Sequence, residues 1–219
     1  MARALIFVNG DLPDLAAVRR LLLADDFLIA ADGGTRHILA LGLRPAVLIG
    51  DLDSLSDENR RLLDQAGTKI HQSPRNKNET DLELALHFAV EAGYRQLRVV
   101  AALGGRLDQT LGNLALLTDP SLAGLDIRAD DGIQEAFFTR DGCRLQGDPG
   151  DLISLVPWGG EVTGVTTTGL RWPLSGEVLW PYRTRGISNE LLDETASVRI
   201  EAGLLLVVHR RQVSEKEIS

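Results

Sequence analysis

Short apolar runs alternate with helical patterns over the N-terminal part of the chain. The runs have the length of buried strands, and they predict strands over residues 4–8, 27–31, 46–49, 97–101 and 125–129. Between them, apolar residues recur every three or four positions, which predicts helices over residues 15–23, 57–66, 80–92 and 107–117. Strands that alternate with helices are typical of a parallel sheet covered by helices on both faces.

The pattern changes after Gly132, where segments become short, β-branched and punctuated by glycine. They predict strands, with turn signals between them, over residues 135–139, 152–156, 161–167, 197–201 and 204–209. The predicted fold is therefore α/β plus all-β: a Rossmann-like, parallel-sheet domain followed by a small β-sandwich. We expect the boundary near residues 130–142 and assign the two domains to residues 1–135 and 136–219.

Charge and cysteine content narrow the possible partners. The formal net charge of −8 disfavours non-specific binding to nucleic acids or membrane surfaces, because both are polyanions. Cys143 is the single cysteine, so neither an internal disulfide nor a thiol zinc cluster is possible. The apolar run after Arg3 is too short for a signal peptide, and no run of 18 apolar residues occurs. We expect a cytoplasmic protein.

Polar residues follow two neighbouring predicted strands, at the sheet edge where open α/β folds bind ligands. Asp32, Gly33 and Gly34 come after the second strand, and the two glycines permit close approach of a ligand to the backbone. The structural alternative is a plain turn in which Asp32 caps the next helix. Asp51 and Asp53 come after the third strand; two residues apart, they point to one side of an extended segment and suit Mg²⁺. The alternative is a solvated loop with an N-cap at Asp53 or Ser54.

A third polar segment covers residues 76–81. Thr80 can cap the helix that follows, with Glu83 at the capping-box position. That structural interpretation leaves Lys77 and Asp81 unexplained. Lys77 can meet a phosphate as a point charge, and Asp81 can add a third carboxylate to a metal site.

A fourth segment, residues 103–109, lies between a predicted strand and helix. Gly104 and Gly105 can form an anion-binding concavity, and the Arg106 guanidinium can bind phosphate oxygens in a fork. The alternative is that Asp108 caps the helix and Arg106 is solvated. Asn113 lies farther along the same helix, where a surface position is the structural alternative. Neither a Walker A sequence nor a G-x-G-x-x-G motif at the first helix is present, so any nucleotide site is of another type.

All three tryptophans fall in the predicted β domain. An indole face can stack on a flat heterocycle, but a tryptophan can equally anchor a small core. We expect core positions for Trp158 and Trp180, whereas Trp172, beside a turn, is open to either role. Ser188 and Asn189 follow as an adjacent polar pair.

Taken together, these motifs resemble the thiamine pyrophosphokinase family over nearly the whole chain. The N-terminal domain of that family carries A-D-G-G, G-D-[FL]-D-S, a lysine-containing segment that ends in T-D, and G-G-R-x-D; its β domain carries T-T-x-G-L-x-W and S-N. This sequence has each motif in the family's order. The resemblance implies an ATP:thiamine diphosphotransferase that acts as a homodimer, with acceptor sites between one subunit's α/β domain and the other's β domain.

The resemblance also implies roles for individual residues. The catalytic group comprises Arg106 and three aspartates that hold Mg²⁺ on the ATP phosphates: Asp51, Asp53 and Asp81. Contact with the nucleotide, or support for that contact, is implied for Asp32, Gly33, Gly34, Lys77, Thr80, Gly104, Gly105, Asp108 and Asn113. Contact with thiamine is implied for Trp172, Ser188 and Asn189. The thiamine hydroxyl would attack the β-phosphorus of ATP, and AMP would leave.

Two positions depart from the family pattern, and two other functions stay open. The family commonly has aspartate where Asn76 stands and histidine where Gln109 stands, and neither change touches the three proposed metal ligands. A pterin alcohol is an alternative acceptor for the same chemistry, although Trp172 with the Ser188–Asn189 pair favours thiamine. A non-catalytic sensor of nucleotide or thiamine is the other alternative, which three converging carboxylates disfavour because they are costly without a metal.

Overall fold

The computed structural model describes residues 3–52, 55–74 and 78–212. The chain divides into two compact units, between Gly132 and Ile133. Among the described residues, no helix combines the length and apolar character needed to cross a bilayer.

The N-terminal unit is built on six parallel strands in the order β4-β3-β2-β1-β5-β6. The strands are β1 Ala4–Phe7, β2 Phe27–Ala31, β3 Val47–Gly50, β4 Lys69–Gln72, β5 Gln96–Val100 and β6 Asp126–Asp130. The helices are α1 Leu15–Leu21, α2 Thr35–Ala40, α3 Asp57–Gln65, α4 Asp81–Glu91 and α5 Leu107–Leu116, with 3₁₀ turns at Asp32–Gly34 and Pro120–Leu122. The prediction of a parallel sheet with intervening helices is confirmed.

The central strand β1 is buried along both of its faces. Leu5 and Phe7 pack in a cluster with Val18 of α1, Ile38 of α2 and Leu63 of α3. The residues that alternate with them along β1 are equally buried, and α4 packs against β1, β2 and β3. A strand buried on both faces reads as a continuous apolar run, which is why the sequence pattern predicts it so well.

The C-terminal unit consists of antiparallel strands. One set of neighbours runs β12-β9-β14-β7, and a second sheet runs β11-β10-β13-β8. The strands are β7 Gln134–Thr139, β8 Gly142–Gln146, β9 Leu152–Pro157, β10 Val162–Thr168, β11 Glu177–Leu179, β12 Asn189–Glu190, β13 Thr195–Arg199 and β14 Leu205–Arg210. Residues of both sets share one core, which includes Leu155, Val165, Val198 and Val207.

Strands β4, β8, β11 and β12 are not predicted by the sequence pattern. β4 is an edge strand whose residues Lys69, His71 and Gln72 are exposed, so it lacks the apolar run that marks the other parallel strands. β8 lies between two turn signals, and Leu145 is its one fully buried apolar residue. β11 and β12 span three and two residues, too few for a periodic pattern.

Candidate active site

A cleft of about 810 Å³ opens at the carboxyl ends of β1, β2, β3 and β5. It lies wholly within the N-terminal unit, and its walls come from the loops after these strands and from the first turns of α4 and α5. The lining residues are Val8, Asn9, Gly10, Asp11, Ala31, Asp32, Asp51, Glu79, Thr80, Asp81, Leu82, Gly104, Gly105, Arg106, Gln109 and Asn113. Five segments that lie apart in the sequence therefore meet at one edge of the sheet, where this fold class binds ligands.

Four aspartates from different segments line this cleft, and Asp11, after β1, is the first of them. Asp32 follows β2, Asp51 follows β3, and Asp81 begins α4. Asp53, the other proposed metal ligand, and Lys77 lie outside the described residues. Within those described, no three His, Cys, Asp or Glu side chains are grouped closely enough to hold a metal ion by themselves. The three-aspartate magnesium site stays a prediction, of which two members line the cleft.

The backbone is strained where the strands enter this cleft. Asp32, Leu52 and Ala101 follow β2, β3 and β5, and they have φ angles of 43°, 67° and 63°. The left-handed region costs a non-glycine residue about 1–3 kcal/mol, and such residues concentrate at functional sites. Aspartate adopts a positive φ more readily than most residues, so the sequence can place a carboxylate at this strained position.

Gly33 and Gly34 serve packing in this structure. Both are buried in the 3₁₀ turn that precedes α2. A Cβ on Gly33 would overlap the Asn9 side chain, and one on Gly34 would overlap the Phe7 carbonyl oxygen. The cleft lining, as far as the structure describes it, leaves both glycines out. Their predicted contact with nucleotide stays a prediction, and close packing against the β1 loop accounts for the glycines without it.

The Gly104–Gly105 turn approaches another part of the same loop. A Cβ on Gly104 would lie 2.6 Å from the carbonyl oxygen of Asp11, and Gly105 has a φ of 89°, which favours glycine. Both residues line the cleft. Asn113 also lines it, and its amide donates a 3.1 Å hydrogen bond to the carbonyl of Ala102, so this side chain ties α5 to the turn after β5.

Arg106 stands at the N-cap position of α5, and Asp108 lies in the first turn. The interpretation of Asp108 as the cap is therefore wrong. The Arg106 guanidinium instead forms a forked salt bridge to the Asp108 carboxylate, with distances of 3.1 and 2.5 Å. This hydrogen bonding raises the pKa of Arg106 and lowers the pKa of Asp108. Both side chains are exposed, so another anion can readily replace Asp108 at the Arg106 guanidinium.

Thr80 caps α4, as predicted. Its hydroxyl oxygen accepts a 3.2 Å hydrogen bond from the backbone N–H of Glu83. The cap fixes the start of the helix on which Asp81 is the first residue, and both Thr80 and Asp81 line the cleft. The structural and functional interpretations of this segment are thus compatible: the cap orients the carboxylate.

The sequence analysis missed the loop formed by Asn9, Gly10 and Asp11. This loop follows the central strand β1, and all three residues line the cleft. Its signal was available, because a polar Asn-Gly-Asp sequence directly after a buried strand falls at the ligand-binding edge. Glu79 and Gln109 also line the cleft and were not assigned a role.

The residues predicted to contact thiamine lie in the C-terminal unit, where Asn189 shapes the backbone around Trp172. The buried Asn189 side chain accepts a hydrogen bond from the Trp172 N–H at 3.0 Å and donates one to the Trp172 carbonyl at 2.7 Å. Trp172 is 48% exposed, and the Arg171 guanidinium lies 5.2 Å from the centroid of its ring. Ser188 has a φ of 57°, and its N–H donates to the Ser154 hydroxyl.

The other two tryptophans differ from each other. Trp158 is partly buried and meets Phe138 edge to face at 5.3 Å, which agrees with an anchoring role. Trp180 is 41% exposed and lies 5.9 Å from Tyr182, so the expectation of a core position for Trp180 is wrong. β11 is only three residues long, and Trp180 comes directly after it.

Comparison with known proteins identifies the family. The model described as "Thiamin pyrophosphokinase, catalytic domain" matches residues 18–133, and the one described as "Thiamin pyrophosphokinase, vitamin B1 binding domain" matches residues 143–205. The chain belongs to the thiamine pyrophosphokinase family. The resemblance inferred from the motifs is confirmed. The first matched region lies within the N-terminal unit except for its last residue, and the second lies within the C-terminal unit.

Individual thiamine pyrophosphokinases match over most of the chain. The enzyme of Bacillus subtilis (strain 168) is 30% identical over 182 residues, which cover 82% of this chain and 85% of the relative. Thiamine pyrophosphokinase 1 of Oryza sativa subsp. japonica is 25% identical over 236 residues, covering 96% and 88%. The crystal structure of the Geobacillus thermodenitrificans protein superposes with a TM-score of 0.82 at 28% identity, over 98% of this chain and 99% of that one.

Proposed function

We propose that this chain is a thiamine diphosphokinase that transfers the terminal diphosphate of ATP to the thiamine hydroxyl, giving AMP and thiamine diphosphate. Membership of the thiamine pyrophosphokinase family supports the activity, and the B. subtilis relative carries that name. The observation that carries the assignment to this cleft is the meeting of Asp51, Asp81 and Arg106 at the carboxyl edge of the parallel sheet. We also propose that the N-terminal unit is Rossmann-like and that the C-terminal unit is a β-sandwich.

The carboxylates in the cleft fit a magnesium ion. Mg²⁺ takes hard oxygen ligands and is usually held by one or two carboxylates together with substrate phosphates. Asp51 and Asp81 supply such oxygens from opposing loops, and Asp53 is the third proposed ligand. When bound, the ion would offset negative charge on the polyphosphate.

Cationic and N–H groups of the chain bind the phosphates themselves. Arg106 lies at the N-terminus of the ten-residue helix α5, next to the Gly104–Gly105 turn. Its pair with Asp108 is exposed and screened by water, so a phosphate can displace Asp108 from the guanidinium. Lys77 would add a second positive charge. Phosphoryl transfer depends mostly on such alignment and charge neutralisation, because little covalent chemistry falls to the protein.

A carboxylate accepts the proton of the attacking hydroxyl. Asp51 and Asp81 are the two candidates, since both line the cleft and a carboxylate can act as a general base. Thr80 fixes the position of Asp81 through the helix cap described above.

The acceptor side of the reaction uses the C-terminal unit. Trp172 offers an exposed indole face for the flat rings of thiamine, and Asn189 holds the backbone that presents it. Ser188, exposed beside Asn189, is the proposed polar contact. We propose a homodimeric, cytoplasmic enzyme whose acceptor site lies between one subunit's α/β domain and its partner's β domain.

The direct test mixes purified protein with ATP, Mg²⁺ and thiamine and follows AMP and thiamine diphosphate by chromatography. We expect the two products in equal amounts, and none without thiamine. Product from a pterin alcohol but not from thiamine would favour the alternative acceptor, and binding of both substrates without turnover would favour a sensor.

Two variants assign the chemistry to the cleft. Asp51→Asn and Asp81→Asn keep the side-chain shape and remove the charge, so we expect turnover to fall by about 10²-fold or more with thermal stability nearly unchanged. Asp64→Asn, on the exposed surface of α3, is the matched control and should retain activity. Near-normal turnover of both cleft variants would remove the proposed metal site.

A further inference from the structure

Two side chains of helix α2 form hydrogen bonds to the backbone of the cleft loop Asn9–Asp11. One guanidinium nitrogen of Arg36, Nη2, donates hydrogen bonds to the carbonyl oxygens of Asn9 and Gly10, each at 3.1 Å. The imidazole Nε2 of His37 lies 2.9 Å from the same Gly10 oxygen. Two successive carbonyls of one loop are therefore held by adjacent residues of α2, which we call the carbonyl clamp (Arg36 and His37).

The proton arrangement within the carbonyl clamp follows from its geometry. A carbonyl oxygen only accepts, so Nε2 of His37 must carry the hydrogen that points at Gly10. The contact of Arg36 Nε with this nitrogen, at 3.4 Å, is correspondingly weak. Burial lowers the pKa of His37, and the Arg36 charge acts in the same direction, against the opposing effects of the Gly10 carbonyl and Asp11; the net shift favours the neutral ring.

The loop is confined on its other side as well. A Cβ on Gly10 would lie 2.8 Å from the Gly104 carbonyl oxygen, and the Asp11 N–H donates to that oxygen at 3.3 Å. The Asn9 side chain rests on Gly33. Without the carbonyl clamp, the loop would lose its hydrogen bonds to α2 and would be held only by its contacts with the Gly104 turn and with Gly33.

The charge of the clamp also suits an anionic ligand. Carbonyl oxygens are the negative ends of peptide dipoles and repel an anion. In this loop, two of them accept hydrogen bonds from a guanidinium and an imidazole N–H, which reduces that repulsion. Asn9, Gly10 and Asp11 each line the cleft, so the position of the loop sets the shape of one wall.

We propose that Arg36 and His37 are positioning residues for diphosphate transfer, which act by fixing the Asn9–Asp11 wall against the polyphosphate. This inference rests on the function proposed above. A displacement of about 1 Å near reacting groups can lower a rate by about 10²-fold, so loss of the Arg36 guanidinium should lower kcat by about 10- to 100-fold. KM for thiamine should change less than kcat, because neither residue lines the described part of the cleft.

The test compares Arg36→Ala with Arg19→Ala. Arg19 donates a similar 3.0 Å hydrogen bond to the carbonyl of Leu41, outside the cleft lining, so its loss controls for a general loss of packing. We expect a fall in kcat for Arg36→Ala alone, with partial recovery when guanidinium is added well below denaturing concentrations. Three results would overturn the proposal: a kcat of Arg36→Ala within twofold of wild type, an equal fall in kcat for Arg19→Ala, or no recovery of kcat with guanidinium.

Hydrogen–deuterium exchange without substrate separates this proposal from the proposed function. Arg36→Ala should speed exchange in the peptide that contains Asn9–Asp11, whereas Arg19→Ala should not. His37→Phe, which keeps a ring but removes the donor, should speed it in the same direction. If the wild type proved inactive as a diphosphokinase, faster exchange would still support the clamp. Unchanged exchange in both clamp variants would refute it whatever the reaction.

Discussion

A buried charge cluster in the C-terminal unit gives the sharpest stability prediction. His209 is 1% exposed, and its imidazole lies between Asp151, 2% exposed, and Glu135, 7% exposed. Nε2 is 2.7 Å from an Asp151 oxygen, and Nδ1 is 3.4 Å from a Glu135 oxygen. Burial lowers the pKa of His209, but hydrogen bonds to the two carboxylates and their negative charges outweigh it, and the net effect raises the pKa.

Replacement of Asp151 by asparagine breaks this cluster without changing its volume. The carboxylate accepts from His209 and from the backbone N–H groups of Gln212, at 2.7 Å, and Asp148, at 3.1 Å. The asparagine amide would direct its N–H groups at one or more of these three donors, which cannot accept them. The substitution also removes one of the two carboxylates that balance the charge of the buried His209 imidazolium. Breaking a buried pair typically costs about 3–5 kcal/mol, which corresponds to a fall in Tm of about 6–20 °C for a protein of this size.

The pH dependence of this loss has a defined sign. Because the folded protein raises the pKa of His209, the stabilisation is fully present below the usual histidine pKa of 6.5 and is lost as pH rises through the folded-state value. The Tm difference between wild type and Asp151→Asn should therefore be largest in mild acid and should narrow in alkali.

Differential scanning calorimetry over a pH series measures this difference. Asp148→Asn, exposed in the same loop, is the matched control and should shift Tm little. A change of less than about 1 kcal/mol for Asp151→Asn, or a difference that is constant or widens with pH, would refute the reasoning.

Three further predictions follow from single contacts. Gly34→Ala should destabilise the protein by about 1–3 kcal/mol in thermal unfolding, because the new methyl overlaps the Phe7 carbonyl; an unchanged Tm would contradict this packing. Thr80→Ala should cost about 1 kcal/mol by removing the acceptor for Glu83, and Thr80→Ser should restore most of it. Trp172→Ala should raise KM for thiamine while shifting the free energy of unfolding by only about 0.5 kcal/mol, since about half of the residue is exposed; an unchanged KM would exclude the stacking role.

Burial explains which parts of the fold the sequence predicts. The central strands are apolar throughout because both of their faces are covered, so their runs stand out along the chain. The edge strand β4 is exposed and polar, and no local pattern separates it from a loop. In the β domain, β12 exists because Asn189 and Glu190 pair with β9, a long-range contact that two residues cannot encode.

The candidate site follows the same division. The motifs that contain Asp51 and Arg106 follow predicted strands, which is why both residues were expected at one edge of the sheet, and the structure places both in the cleft. The segment with Asp81 follows the unpredicted strand β4, and its functional interpretation rested on its residue types alone. The packing of Gly33 on Asn9, and the hold of Arg36 on the same loop, depend on the positions of residues far apart in sequence. Sequence reasoning therefore assigned Gly33 and Gly34 to ligand contact, whereas in the structure they pack against Asn9 and the Phe7 carbonyl.

Transfer of label from ATP carrying ³²P at the β-phosphate is the most direct test of diphosphate transfer in this cleft. A reaction in which the thiamine hydroxyl attacks the β-phosphorus places the label in thiamine diphosphate and leaves AMP unlabelled. We predict that result for the wild type and its loss in Asp51→Asn. Label remaining in ADP, or label released as inorganic phosphate without thiamine, would contradict it.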